Sequence, residues 1–416
     1  MKIAWFLFLL AGAAYAQDDL DLIPAAPTEP RAADYVAGQR LYLENAFTLS
    51  SNRAGPGLAA PFDWQERLLF DVRKEWKLDD QLNLVYSGRF NLRAENDIAT
   101  PSHEEVVNDL REAYLAWRPA DDFYLDAGRI NLKSGVALGF NPTDFFKTRS
   151  VVEPLSSDPT VLREDRLGTL MLRAQYIAGF GSLTVAAAPA VTHETPIYSN
   201  SDLHSFDPSF DRTNAANRFL AKGSFSLSDD FSPEVLVYRE NGRTAYGLNL
   251  ADNFGQRWVG YLEWSGSQGT GLVTQDGFRN QLSTGASYTT ESKITFNLEY
   301  HFDQDSLTGA DWKWPLSREL WFLRGLAQDR QEPISRHSLF LRADWVDAFV
   351  PRLELTGFIN TDLHDGSSLA EANAAYYLSD RWTVGGQLSA NLGGRRTDFG
   401  SLPQSLVTMV QITRYF

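Results

Sequence analysis

Residues Ser405–Phe416 read SLVTMVQITRYF. Leu406, Val410, Ile412 and Phe416 share one face of this stretch, and Ser405, Val407, Gln411 and Thr413 are among those on the other. Such alternation marks a strand, whose successive side chains point to opposite sides. The strand ends on an aromatic residue and has no apolar helical run beside it for cover. Pairing with the first strand of the chain resolves this, because closing a sheet into a barrel removes both edges. In a bilayer closure is obligatory, since no water is there to satisfy an open edge.

The same period recurs upstream from Leu41 in runs of about ten residues. In Asp63–Trp76 the residues Trp64, Leu68, Phe70, Val72 and Trp76 share one face, and Gln65, Arg67, Asp71, Arg73 and Glu75 the other. Runs are expected near 40–51, 62–77, 81–94, 107–118, 122–130, 167–177, 181–191, 217–227, 232–240, 243–251, 256–264, 279–289, 293–302, 336–346, 352–362, 368–377, 381–392 and 404–416. That is about eighteen strands, or about sixteen if one weak hairpin is lost. Short connections such as Leu78–Asp80, Ala178–Gly181 and Leu378–Asp380 alternate with long ones such as Asn131–Arg166, Thr192–Ala216 and Phe302–Ile334. Asn241-Gly242 and Asp365-Gly366 read as tight hairpin turns among the long set. Apolar faces such as Trp258, Leu262 and Trp264, or Phe296, Leu298 and Tyr300, stand opposite Glu263, Asn297 and Glu299. The expectation is apolar side chains outward and polar ones inward.

The terminal strand resembles the C-terminal assembly signal of Gram-negative outer-membrane barrels. It has the final Phe416 behind alternating apolar residues, with Arg414 where that signal carries a further aromatic. With the short-turn, long-loop layout, residues 41–416 resemble the porin-like class of outer-membrane proteins. The resemblance implies an all-β, transmembrane, antiparallel up-and-down barrel with short periplasmic turns and long extracellular loops. It also implies residence in the cell outer membrane, contact with outer-membrane lipids and lipopolysaccharide, and handling by the outer-membrane assembly machinery. The expected role is a channel for passive diffusion of small hydrophilic solutes. The alternative is an export or assembly barrel passing a polysaccharide or lipid delivered by periplasmic partners. A homo-oligomer is compatible with either.

Composition agrees with that reading. The chain has 416 residues, no Cys and a formal charge of −15, with 11 Trp and 16 Tyr. Without Cys there are no disulfides, thiolate metal sites or Cys nucleophiles. The acidic balance argues against nucleic acid as a partner. Abundant Trp and Tyr suit girdles at the two membrane interfaces. Lys2, the apolar run Ile3–Leu10 and Ala14-Tyr15-Ala16 predict an export signal over 1–16. Residues 17–40, rich in Asp, Pro and Ala, read as a periplasmic lead-in.

A barrel of this size encloses an aqueous channel unless loops fill it. Asn131–Arg166, the longest insertion, is the candidate filler. Phe140, Phe145 and Phe146 are placed to anchor it inside the wall, while Lys133, Asp144, Lys147 and Arg149 bring charge to the narrowest section. Arg67, Arg73, Arg89, Arg93, Arg118 and Arg173 fall on the inward faces of early strands. They form either an anion-attracting ladder or, since Asp71, Glu75, Glu112 and Asp126 share that wall, a set of Arg–carboxylate rungs. Six His are scattered and no G-x-S-x-G elbow accompanies them, so no enzyme is expected. No cofactor or metal site is expected either, since the acidic loops match no Ca²⁺-binding loop.

Overall fold

Eighteen strands are found among the described residues of the computed structural model, which describes residues 39–53, 62–96, 106–152, 155–192, 208–228, 231–269, 277–308, 311 and 318–416. In chain order they are β1 (Gln39–Asn52), β2 (Trp64–Lys77), β3 (Leu82–Glu95), β4 (Val106–Ala120), β5 (Phe123–Ile130), β6 (Thr169–Ala178), β7 (Gly181–Ala188), β8 (Arg218–Phe225) and β9 (Glu234–Glu240). They continue as β10 (Arg243–Phe254), β11 (Trp258–Gly269), β12 (Gly277–Thr289), β13 (Ile294–Asp303), β14 (His337–Trp345), β15 (Leu353–Asp362), β16 (Ser368–Ser379), β17 (Trp382–Leu392) and β18 (Gln404–Tyr415). The export signal expected over 1–16 lies outside the described residues, as does nearly all of the lead-in.

Each strand pairs antiparallel with its neighbours in sequence, and β18 returns to β1. Tyr42 stands opposite Tyr415 on one side and Asp71 on the other. The sheet is therefore a closed up-and-down barrel with no free edge. Because the strand number is even, β1 starts and β18 ends at the end of the barrel that carries the short turns. No described helix is long and apolar enough to cross a membrane.

Period-two alternation decides the two surfaces. Trp258, Phe296, Leu298, Leu339, Leu341, Trp382, Val384 and Leu388 are exposed on the outer wall. Glu263, Asn297, Glu299, Arg342 and Asp344 are buried on the inner one. Leu406, Val410, Ile412 and Phe416 of the terminal strand also face outward. The barrel is thus turned inside out relative to a soluble one, with its polar groups in the lumen.

The connections refine the expected layout. Asn241 (φ 47°) and Gly242 (φ 80°) form the two-residue β9–β10 turn, where both central positions need positive φ. Asp365-Gly366 is not a two-residue turn but part of a wider connection over 363–367. The long loops carry short helices that alternation along the chain does not reveal: α1 (Pro159–Glu164), α2 (Phe210–Thr213) and α3 (Arg318–Arg330). In α1, Asp158 caps the first turn by accepting from the amide of Thr160, and Pro159 sits where no donor is needed.

Candidate solute pathway

The segment 131–166 leaves β5 and folds into the lumen. Irregular backbone at this depth must find its hydrogen-bond partners inside the protein, and two wall carboxylates supply them. Glu263 on β11 accepts from the amides of Val136 (3.1 Å), Ala137 (3.2 Å) and Thr143 (2.7 Å), and from the Thr143 hydroxyl (2.8 Å). Glu299 on β13 accepts from the amides of Leu138 (2.6 Å) and Gly139 (2.8 Å), and from the Tyr261 hydroxyl (2.7 Å). The approach is close enough to require glycine. A Cβ on Gly135, whose φ is +94°, would lie 2.3 Å from a Glu263 oxygen.

Aromatic packing fixes the rest of the inward leg. Phe145 stacks on Tyr238 of β9 with ring centroids 4.8 Å apart, and Phe146 meets the same ring edge-on. Leu132 and Phe146 complete a dry cluster with Met171, Leu220 and Leu236 of the wall. Val136, Ala137 and Leu138 complete a second with Tyr261, Phe340 and Phe358. Phe140 is buried against His301, and the Lys147 ammonium lies 4.5 Å from the Phe140 ring centroid. Burial pushes the pKa of Lys147 down, against the pull of the Glu332 and Asp144 carboxylates.

The returning leg is held by charge. Asp144 receives Arg166 at 2.5 Å, and Arg163 lies 3.5 Å away while donating to the carbonyls of Ser134 and Gly135. Asp158 meets the fully buried Arg342 of β14 at 2.5 Å. Gln331, just past α3, accepts from Arg166 and donates to the Lys147 carbonyl, so the loop over β13–β14 pins the inserted one from above. Arg149, expected at the narrowing, instead sits at this junction, its amide donating to the Asp329 carbonyl. Lys133 pairs with Glu164.

Five of the six arginines expected along the lumen stand beside carboxylates. Arg67 meets Glu44 at 2.7 Å, Arg73 meets Glu112 at 3.9 Å, Arg93 meets Glu95 at 3.5 Å and Arg173 meets Asp126 at 2.5 Å. Arg89 bridges Asp71 (3.1 Å) and Asp165 of the inserted loop (2.7 Å). Arg118 lies over the Tyr124 ring near the short-turn end. Two further guanidinium groups join the cluster around Asp71: Arg40 at 3.3 Å and Arg111 at 2.5 Å.

Strict alternation points Arg111 into the lipid, because Glu112 next to it faces the lumen. A β-bulge in β4 resolves the conflict. Ser87 pairs with Glu112 and Gly88 with Leu110, leaving Arg111 as the extra residue. Both Arg111 and Glu112 then face inward. A bulge gives no signal in the apolar pattern, so Arg111 escapes a sequence reading. Arg40 was visible at the very start of the first strand, but belonged to no recognisable run of basic residues.

The two dry clusters pack the inserted loop against the wall along β5–β11 and β14–β15. A cavity of about 260 Å³ runs between α1 of the inserted loop and the wall from β15 through β18 to β3. Its charged and amide lining includes Arg40, Arg67, Arg89, Asp165, Glu354, Gln387 and Gln411, with Arg89 and Asp165 paired. Leu69, Leu155, Val161 and Met409 share the lining, so the surface offers a solute both polar partners and apolar contact.

Solved structures share this architecture. The crystal structure of Pseudomonas aeruginosa OpdK with vanillate is similar with a TM-score of 0.55 at 12% identity, over 91% of this chain and 98% of that one. P. aeruginosa OccK11 (OpdR) gives 0.53 at 13% identity over 91% and 95%, and OccK5 (OpdH) gives 0.53 at 10% over 91% and 97%. The chain therefore has the fold of these outer-membrane, porin-like barrels. Neither a protein-family profile nor a curated protein sequence matches it.

Proposed function

We propose that this protein is a channel of the Gram-negative outer membrane through which small hydrophilic solutes, anions preferred, diffuse passively. The observation that carries the reading is the open cavity left beside the inserted loop, with Arg40, Arg67, Arg89, Gln387 and Gln411 in its lining. The inserted loop packs against part of the inner wall and leaves a cavity beside α1, which is the arrangement of a narrowed path. The loop 131–166 sets the width. Phe140, Phe145 and Phe146 hold it to the wall, Asp144 ties its two legs, and Lys133 and Lys147 sit along its course. Anion preference rests on the guanidinium groups of Arg40, Arg67, Arg73, Arg89, Arg111 and Arg173, which raise the local potential in a water-poor lumen. The apolar outer wall suits lipid and lipopolysaccharide, and the terminal strand with Phe416 suits recognition by the assembly machinery. The inserted loop narrows the lumen, which disfavours the export of a polymer. No catalytic step is part of this reading.

Single-channel recording of the refolded barrel in planar bilayers under a salt gradient tests it. Steady conductance with a reversal potential of the anion-selective sign is expected. A cation-selective sign removes the anion preference. No conductance, in a barrel shown folded by its heat-modifiable gel mobility, overturns the channel.

A further inference from the structure

We propose that the lumen wall built by β15–β18 carries a subsite for a neutral polyhydroxylated solute of the size of a monosaccharide. It deepens the channel reading and rests on it for the route of access only. At its centre Ala375 of β16 stands between Glu354 of β15 and Gly385 of β17, and Gly385 stands opposite Gln411 of β18. The Gln411 side chain lies over Gly385, where a Cβ would come within 2.9 Å of its Cγ. This row of small residues leaves a shallow floor in the wall, with Glu354 at one end and the Gln411 amide at the other. Asn373 and Gln387 flank the floor on one side, Tyr377 and Thr383 on the other, and each pair is directly opposed across β16 and β17. All of these residues except Gly385 line the cavity of about 260 Å³. Tyr377 and Thr383 lie close to the short turn between β16 and β17, which sets the subsite toward that end of the barrel.

The polar groups around this floor are aimed rather than merely present. Glu371, buried two residues before Asn373 on β16, accepts from the Asn373 Nδ2 at 2.9 Å, and the Gln387 side chain engages the same carboxylate. A carboxylate accepts and does not donate, so both amides turn their NH₂ groups toward Glu371. Their carbonyl oxygens are thereby held away from Glu371, which does not itself line the cavity. Glu354 is fixed in turn by the Tyr377 hydroxyl, which donates to it at 2.8 Å. The Thr383 hydroxyl is buried and has no partner among the described residues. A buried hydroxyl left unmet is costly, and a ligand that meets it recovers that cost.

Hydroxyl groups match this set. Each one both donates and accepts, so a single hydroxyl answers an amide carbonyl as readily as a threonine. Charge argues for a neutral solute. Arg40, Arg67 and Arg89 share the cavity and repel a cation, while Glu354 and the amide carbonyls repel an anion at the floor itself. The remaining lining supplies the other half of a sugar's chemistry. Tyr415, Met409 and, from the inserted loop, Leu155 and Val161 offer apolar contact to the C–H face of a ring whose edge is hydroxylated. Passage of such solutes is then saturable instead of rising in proportion to concentration.

Saturation-transfer NMR on the folded barrel, in a detergent without a sugar headgroup, tests the subsite without needing conduction. Methyl α-glucoside is the probe, against 1,4-dioxane as a ring of similar size without hydroxyls. Saturable transfer to the glucoside and none to dioxane is expected. Ala375→Leu fills the floor and should abolish the transfer. Gln387→Met keeps the length of the side chain but loses its amide, and should weaken binding about tenfold, the loss that follows removal of one hydrogen-bonding group. Heat-modifiable gel mobility shows which variants are folded, and Gln387→Met serves if Ala375→Leu is not. No saturable transfer to the glucoside, equal transfer to dioxane, or an affinity unchanged in either folded variant overturns the subsite. Conductance without glucoside binding removes the subsite and leaves the channel standing; binding without conductance does the reverse.

Discussion

Glu263 collects three backbone amides and one hydroxyl from the inserted loop, while its own side chain is fully buried. Truncation leaves those donors unmet in a dry setting, where each lost acceptor costs about 1–3 kcal/mol. Glu263→Ala is therefore expected to lower stability by on the order of 3 kcal/mol and to free the loop. Urea unfolding and limited proteolysis of 131–166 measure both effects, and Glu263→Gln, which keeps one acceptor oxygen, should lose less. Lys147 gives a prediction in pH. Burial lowers its native pKa below the ordinary 10.5. Between the two values the unfolded chain binds more protons than the native one. This group's contribution to stability thus grows as pH rises toward 10.5 and shrinks as pH falls. The gain in urea midpoint from pH 7 to pH 10 should be smaller in Lys147→Met, and equal gains would mean that Lys147 is buried with its proton. Neither role was legible along the chain. Glu263 and Lys147 read as a polar wall residue and a loop charge, and only the inward fold of the loop brings each to its partners.

At the scale of elements, the inserted loop is both filler and core. Its apolar residues complete clusters whose other members, Met171, Leu220, Leu236 and Tyr238, face inward from the barrel wall. Deleting 133–163 should raise single-channel conductance while the strand ladder persists, because every strand keeps both neighbours. The same deletion strips cover from a buried apolar surface, at about 25 cal/mol per Å² newly wetted. A lower thermal midpoint is therefore expected alongside the higher conductance, and unchanged conductance would show that the loop does not limit the path. The insertion was recognisable by its length and its Phe residues. Its anchors were not, since Glu263, Glu299 and Tyr238 lie about a hundred residues or more further along the chain. The β4 bulge adds a second lesson, because one extra residue at Arg111 shifts the side on which its neighbours emerge.

For the whole molecule, closure and the apolar outer wall make one prediction together. Val410 is 57% exposed on the terminal strand, opposite Phe47 of β1 at the seam of the barrel. A charge on a lipid-facing strand costs about 2–4 kcal/mol near the bilayer midplane. Val410→Arg should destabilise the barrel by that order in lipid vesicles and slow its assembly, whereas Thr413→Ser, on the lumen face, should change little. Equal effects would mean that the outer wall does not meet hydrocarbon.

The sequence alone determined a strand number of about eighteen, with about sixteen left open, the antiparallel order and the closing of Ser405–Phe416 on the first strand. The count and the order follow from local alternation and from the alternating lengths of the connections, because a pleated strand writes its two faces into neighbouring residues; which face is outward rested on the export signal and the closing strand. The tertiary structure alone decided where the inserted loop packs dry against the wall, which carboxylates hold it, and how Arg40, Arg89 and Arg111 converge on Asp71. Those outcomes depend on contacts across the lumen and on a bulge, and neither leaves a periodic trace in the chain.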